Sequence, residues 1–164
     1  INRMFAEGKI HKTYWCIVPN VWSDADLQNV KGKKSKPLPA READLTNWLV
    51  RNEKQNRSVA YDHEVPNSKE ARLHYKVIST TDRYALLEVQ LFTGRHHQIR
   101  CQLSHIGLTI KGDLKYGSPR SNPDGGISLH SRKVNFVHPV SKVDTIIEAP
   151  VPDDNLWRAL TSQL

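Results

Sequence analysis

Residues 84–107 read Tyr-Ala-Leu-Leu-Glu-Val-Gln-Leu-Phe-Thr-Gly-Arg-His-His-Gln-Ile-Arg-Cys-Gln-Leu-Ser-His-Ile-Gly. Leu87, Val89 and Leu91 alternate with Glu88 and Gln90, the period expected of a strand with one covered face. Thr93-Gly94 breaks that strand, and residues 95–106 have the spacing of a helix. Thr93 is the expected cap, and Gly107 can end the helix in the left-handed conformation. Ile99, Leu103 and Ile106 form the apolar stripe, and at 100° per residue Arg100 falls at its margin, not on the opposite face.

Working outward, residues 71–80 form a further strand, joined to 84–91 by Thr81-Asp82-Arg83, short enough for a hairpin. Residues 58–63 and the aromatic, β-branched run 14–18 are strands too. Between them lies a basic loop, Lys31-Gly32-Lys33-Lys34-Ser35-Lys36, followed by Pro37 and Pro39. The spacing of Leu45, Trp48 and Leu49 predicts a short amphipathic helical turn. Beyond Gly107, Gly112, Gly117, Pro119, Pro123 and Gly125-Gly126 mark a long loop. Residues 127–137 and 145–149 are strands, and Asp153-Asp154 caps a closing helix with Leu156, Trp157 and Leu160 inward. Frequent hairpins without βαβ alternation predict an α+β domain, its sheet mixed but largely antiparallel with flanking helices. Neither a repeat nor a linker divides residues 1–164.

The 164 residues suffice for one domain with a core, whereas two would be cramped. With 38% hydrophobic and 25% charged residues, the chain is too apolar for a disordered segment and too polar for a membrane span. Twenty-four Lys and Arg against 17 Asp and Glu leave a net charge of +7, which points toward a polyanionic partner. Cys16 and Cys101 are the only cysteines, so a disulfide-stapled scaffold is excluded and a reducing, cytoplasmic setting is expected. Arg3, Glu7 and Lys9 stand where a secretory leader would be apolar. The chain opens on Ile1, read here as a cut end.

The chemistry concentrates at Arg95-His96-His97-Gln98-Ile99-Arg100. A helix N-terminus favours anions, and Arg95 adds a fork for phosphate or carboxylate. Arg100, half-turned toward the core, needs a carboxylate, as a structural salt bridge or as a functional pair. The histidines form no H-x-x-x-H or H-E-x-x-H pair and neither cysteine lies at ligand spacing, so no metal is expected. His130 and His138 are read as hydrogen-bonded structural residues. The nucleophile elbow and the Walker and dinucleotide fingerprints are absent.

Thr93-Gly94-Arg95-His96-His97-Gln98-Ile99-Arg100, then His105-Ile106-Gly107, Gly112-Asp113, Tyr116-Gly117, Leu129-His130 and Phe136-x-His138-Pro139 resemble the C-terminal two-thirds of an RluA-type RNA pseudouridine synthase. Lys12-x-Tyr14 ahead of a hydrophobic strand is similar to a second motif of that family, and residues 5–9 resemble the segment before it. The resemblance implies isomerisation of uridine to pseudouridine in structured RNA, ribosomal or transfer, without a cofactor. An aspartate acts as nucleophile, and the base is detached, turned and rejoined through carbon 5. Tyr14 would lie against the target base and serve in abstracting a proton from it, Leu129 would supply its apolar wall, and Arg100 would pair with the catalytic aspartate. Arg95 and His97 would contact RNA or hold the architecture.

The family's aspartate lies in an H-R-L-D-type motif, and this sequence contains none. Asp24, Asp26, Asp62, Asp82 and Asp113 do not occupy its place, and Asp113 is expected to fix a loop. The chain is therefore expected to be an inactive piece of an active enzyme or, alternatively, a non-catalytic RNA-binding relative. A basic interaction domain without RNA is a third reading. Extruding a stacked uridine costs a few kcal/mol, about what base-flipping enzymes supply, and basic surface must hold the backbone. Lys31, Lys33, Lys34, Lys36, Arg95, Lys111, Lys115, Arg120, Arg132 and Lys133 are the candidates. Oligomeric state is not legible in the sequence.

Overall fold

The computed structural model describes residues 10–23 and 38–164. Residues 5–9, Asp24, Asp26 and the lysines at 31, 33, 34 and 36 lie outside the described residues. Among the described residues seven strands form one sheet: β1 (Ile10–Pro19), β2 (Glu42–Asn52), β3 (Arg57–Tyr61), β4 (Lys69–Thr80), β5 (Tyr84–Leu91), β6 (Leu129–Val137) and β7 (Asp144–Glu148). Their spatial order is β3-β2-β4-β5-β1-β6-β7, and every pairing is antiparallel. Among the described residues two helices, α1 (Gln98–His105) and α2 (Asn155–Thr161), complete an α+β domain. No helix among the described residues is long and apolar enough to cross a membrane.

The central strands are covered on both faces, not one. Cys16, Val18, Leu87 and Val89 point to Ile99 and Leu103 of α1 and to Leu108 and Ile110 beyond it. On the other face Ile17 and Leu86 pack against Trp157 and Leu160 of α2. Leu86 therefore belongs to a second core that the alternation after Leu87 conceals. Asp154 caps α2 as expected, accepting from the Leu156 and Trp157 amides. Ser79 Oγ donates to the Leu160 carbonyl at 2.6 Å and ties the helix to β4.

The helical turn expected around Leu45–Leu49 is instead the middle of β2. Its 45/48/49 spacing is a coincidence, because the true alternation runs through Leu45, Asn47 and Leu49, and Asn47 is buried. A polar residue on the inward face hides a period of two. Asn47 is tolerated there because its amide donates to Asp62 at 3.2 Å and its carbonyl accepts from Gln102 at 2.9 Å.

Candidate active site

The turn into α1 is built differently from expectation. His97, in the left-handed conformation (φ 53°), is the N-cap residue, and its side chain makes no cap. Thr93 does not cap the helix either. Its hydroxyl accepts the Arg72 amide at 2.9 Å and donates to Gln98 Oε1 at 2.8 Å. Gln98 folds back over the turn: Oε1 also accepts the Arg95 amide at 3.0 Å, and Nε2 donates to the Arg72 carbonyl at 3.0 Å. This buried amide, which the sequence reading passed over, locks residues 93–98 onto β4. The helix ends as expected, with Gly107 at φ +89° and its amide on the Ser104 carbonyl.

Arg100 reaches from α1 to the following loop. Its Nε and Nη2 donate to Asp113 Oδ2 and Oδ1 at 2.9 and 2.8 Å. Asp113 is 1% exposed, against 20% for the guanidinium. Asp113 is the carboxylate that Arg100 was expected to need, and the two form a salt bridge within the chain. Asp113 fixes the loop, as expected. Gly112 beside it has φ +86°, and a Cβ there would stand 2.6 Å from Asn122 and 2.8 Å from the Gly126 carbonyl, so only glycine fits.

The third guanidinium nitrogen, Nη1, lies 3.1 Å from His97 Nε2. Arginine always carries its protons, so Nε2 must be the acceptor and Nδ1 must hold the imidazole hydrogen. Nδ1 then donates to the Tyr116 hydroxyl at 2.8 Å, which also accepts the Ser58 amide at 2.9 Å. Burial first, then the charge of Arg100, pushes His97 down to about 4. His97 is thus neutral and held on both nitrogens. The Tyr116 ring lies 5.0 and 5.1 Å from the guanidinium carbons of Arg100 and Arg57.

Tyr14 and Leu129 lie elsewhere on the same sheet face. Both are partly buried and pack against the cluster containing Cys16, Leu87 and Ile99. The β1–β6 register shifts between Thr13 and Tyr14, so Thr13 faces Lys133 while Tyr14 faces Ser131. Arg132 is the extra residue, and such bulges re-aim neighbouring side chains. Leu129 also lines a cleft of about 490 Å³ with Lys111, Ser128 and Trp157.

The expected basic residues separate. Arg132 is engaged within the fold, paired with Glu148 at 2.7 Å and stacked 4.6 Å over Trp15. Lys111 Nζ donates to Asn122 at 2.6 Å, and Lys115 Nζ to the Asn56 carbonyl at 2.9 Å. Arg95 is exposed, with Nε on the Glu70 carbonyl at 2.8 Å. Lys33 and Lys34 lie outside the described residues. His130 Nε2 lies 3.4 Å from the Ala149 carbonyl, and His138 Nδ1 accepts the Val140 and Ser141 amides, as expected of structural histidines. Among the described residues, no group of three or more His, Cys, Asp or Glu side chains converges as metal ligands.

A strand end, a glycine turn and an arginine-bearing helix packed beside a sheet tyrosine define a class that sequence comparison identifies. The family profile described as RNA pseudouridylate synthase matches residues 1–105, and the chain belongs to that family. Its members are isomerases acting on RNA. An uncharacterized RNA pseudouridine synthase of Chloroflexus aurantiacus is 45% identical over 91 residues, 55% of this chain and 29% of that protein. The ribosomal large subunit pseudouridine synthase C of Buchnera aphidicola is 28% identical over 158 residues, 92% of this chain and 45% of its own length. The chain thus spans less than half of either relative. Human RNA pseudouridylate synthase domain containing 1 shares the fold, with a TM-score of 0.64 at 19% identity, over 96% of this chain and 61% of that one.

Proposed function

We propose that the protein to which this chain belongs isomerises uridine to pseudouridine in a structured ribosomal or transfer RNA, without a cofactor and in the cytoplasm. The observation that carries this reading is the placement of Tyr14 and Leu129 on one apolar cluster with α1, beside the β1–β6 bulge. In this reading Tyr14 lies against the target base and Leu129 walls it. Arg100 has five N–H donors, of which three are engaged by Asp113 and His97. The two remaining donors suit a second carboxylate, the nucleophile, without dissolving the Asp113 pair. The H-R-L-D motif that would carry that nucleophile is not in this sequence, and the chain by itself turns over nothing.

A second reading, a non-catalytic RNA-binding domain, is favoured by one observation: Arg100 is already neutralised within the chain. One experiment separates the two. Pseudouridine is mapped in RNA from cells with and without the intact gene, and the encoded protein is assayed on the same RNA. Loss of a defined pseudouridine, restored by the encoded protein, supports the enzyme. RNA binding with an unchanged modification map supports the binding domain.

A further inference from the structure

A cleft of about 220 Å³ opens where β2, β3 and β4 meet the turn before α1, lined by Leu49, Arg51, Ser58, Asn67, Lys69, Gly94, Arg95 and His96. Three permanent cations face it, and no carboxylate is among its walls. Register explains the clustering, because Lys69 stands opposite Leu49, and Arg51 opposite Ser58, on neighbouring strands. Cross-strand pairs share a sheet face, so both cations stand on the side that carries α1.

These charges are not consumed by the fold. Among the described residues the Arg95 side chain makes one hydrogen bond, from Nε to the Glu70 carbonyl, which anchors it and leaves both terminal nitrogens available. Arg51 and Lys69 are exposed and have no side-chain partner among the described residues. Arg100, by contrast, is neutralised by Asp113. Burial first, and then the charges of Arg51, Arg100 and Lys115, lower the pKa of His96 in the same cleft wall. Unpaired cations around a concave, polar wall, including a guanidinium with its fork free, match an oxyanion of tetrahedral geometry better than an apolar ligand.

We propose that this cleft binds a backbone phosphodiester of the RNA, held by Arg51, Lys69 and Arg95. It is a contact away from Tyr14 and Leu129 that orients the strand rather than reading the base. The inference rests on the RNA reading above and adds a second anchoring point to it.

The test measures binding of the chain to a uridine-containing stem-loop from 50 to 300 mM salt, for the parent and for Arg51→Gln/Lys69→Gln. A control variant, Arg83→Gln/Lys142→Gln, removes the same charge outside the cleft. The proposal expects the cleft variant to lose about tenfold in affinity and about one unit of salt slope, with the control close to parent. Circular dichroism and thermal melting keep lost binding distinct from lost fold. Parent binding with a steep salt slope that the cleft variant retains overturns the cleft while leaving the RNA reading intact. No salt-dependent binding by the parent overturns both. Equal displacement of the RNA by poly-glutamate of matched charge assigns the cleft to an acidic protein segment and overturns the proposal.

Discussion

Arg100 and Asp113 form a two-point ion pair at 2.9 and 2.8 Å, joining α1 to the loop that follows it, with the carboxylate 1% and the guanidinium 20% exposed. The two ends of this pair are unequally dependent on each other. A sealed carboxylate that loses its cation has no water to replace it, whereas the guanidinium keeps access to solvent and a contact to His97.

Removing the arginine is therefore worse than removing the aspartate. Arg100→Met is expected to destabilise the chain by about 3–5 kcal/mol, the range for an orphaned buried charge. Asp113→Asn leaves an amide that still accepts one bond, at about 1–3 kcal/mol. Urea unfolding of both variants, with the slope checked for two-state behaviour, decides the order. A reversed order would mean that the guanidinium relies on Asp113 more than the loop relies on Arg100.

Gln98 holds the turn by three bonds at once. Gln98→Ala should lower stability by about 2–3 kcal/mol, since the Arg95 amide and the Thr93 hydroxyl lose their buried acceptor. Amide hydrogen exchange provides the local readout: Arg95 should exchange faster in the variant. Unchanged exchange would show that the turn is held by something other than this side chain.

His97 gives the fold an acid sensitivity with a defined sign. Its folded pKa is about 4, below the ordinary value near 6.5. Between these values the unfolded chain binds the proton and the folded chain does not, so stability falls as pH drops from about 6.5 toward 4. With solvent screening allowed for, the loss attributable to this residue is about 1–2 kcal/mol. His74, raised by Asp44 and Glu42, acts in the opposite sense, its stabilisation fading as pH rises through its folded value. Unfolding free energies at pH 7.5 and 5.0 for the parent and His97→Asn isolate the term, and an identical pH difference in both proteins would refute it.

For Tyr14 the proposed role concerns the reaction and not the fold. In the intact protein, Tyr14→Phe should slow isomerisation by on the order of 10²-fold, the scale of a lost acid–base group, while stability shifts by less than about 1 kcal/mol. Turnover on a uridine-containing RNA, measured alongside thermal melting, checks both. An unaltered rate removes any proton-transfer role from the hydroxyl.

Much of the fold was legible because the relevant signals are local. Alternation in Tyr84–Leu91, the three-residue connection to β4, Gly107 and Asp154 each act within a few positions, and each appears where the sequence puts it. The misread elements fail for equally physical reasons. Asn47 breaks the visible period of β2 because its buried amide is satisfied by Asp62 and Gln102, partners far along the chain. Thr93 looks like a cap by type and position, yet Gln98, five residues on, occupies the turn from inside the helix.

The sequence by itself determined the residue types of the site and the need of Arg100 for a carboxylate, because helical geometry fixes which side chains stand at the edge of an apolar stripe. Which carboxylate answers that need was decided only by the tertiary structure. Asp113 reaches it because Gly112 takes a backbone conformation closed to other residues and swings the loop back over α1. The cluster of Arg51, Lys69 and Arg95 likewise follows from strand register and a folded turn, relations between distant positions that no local pattern encodes.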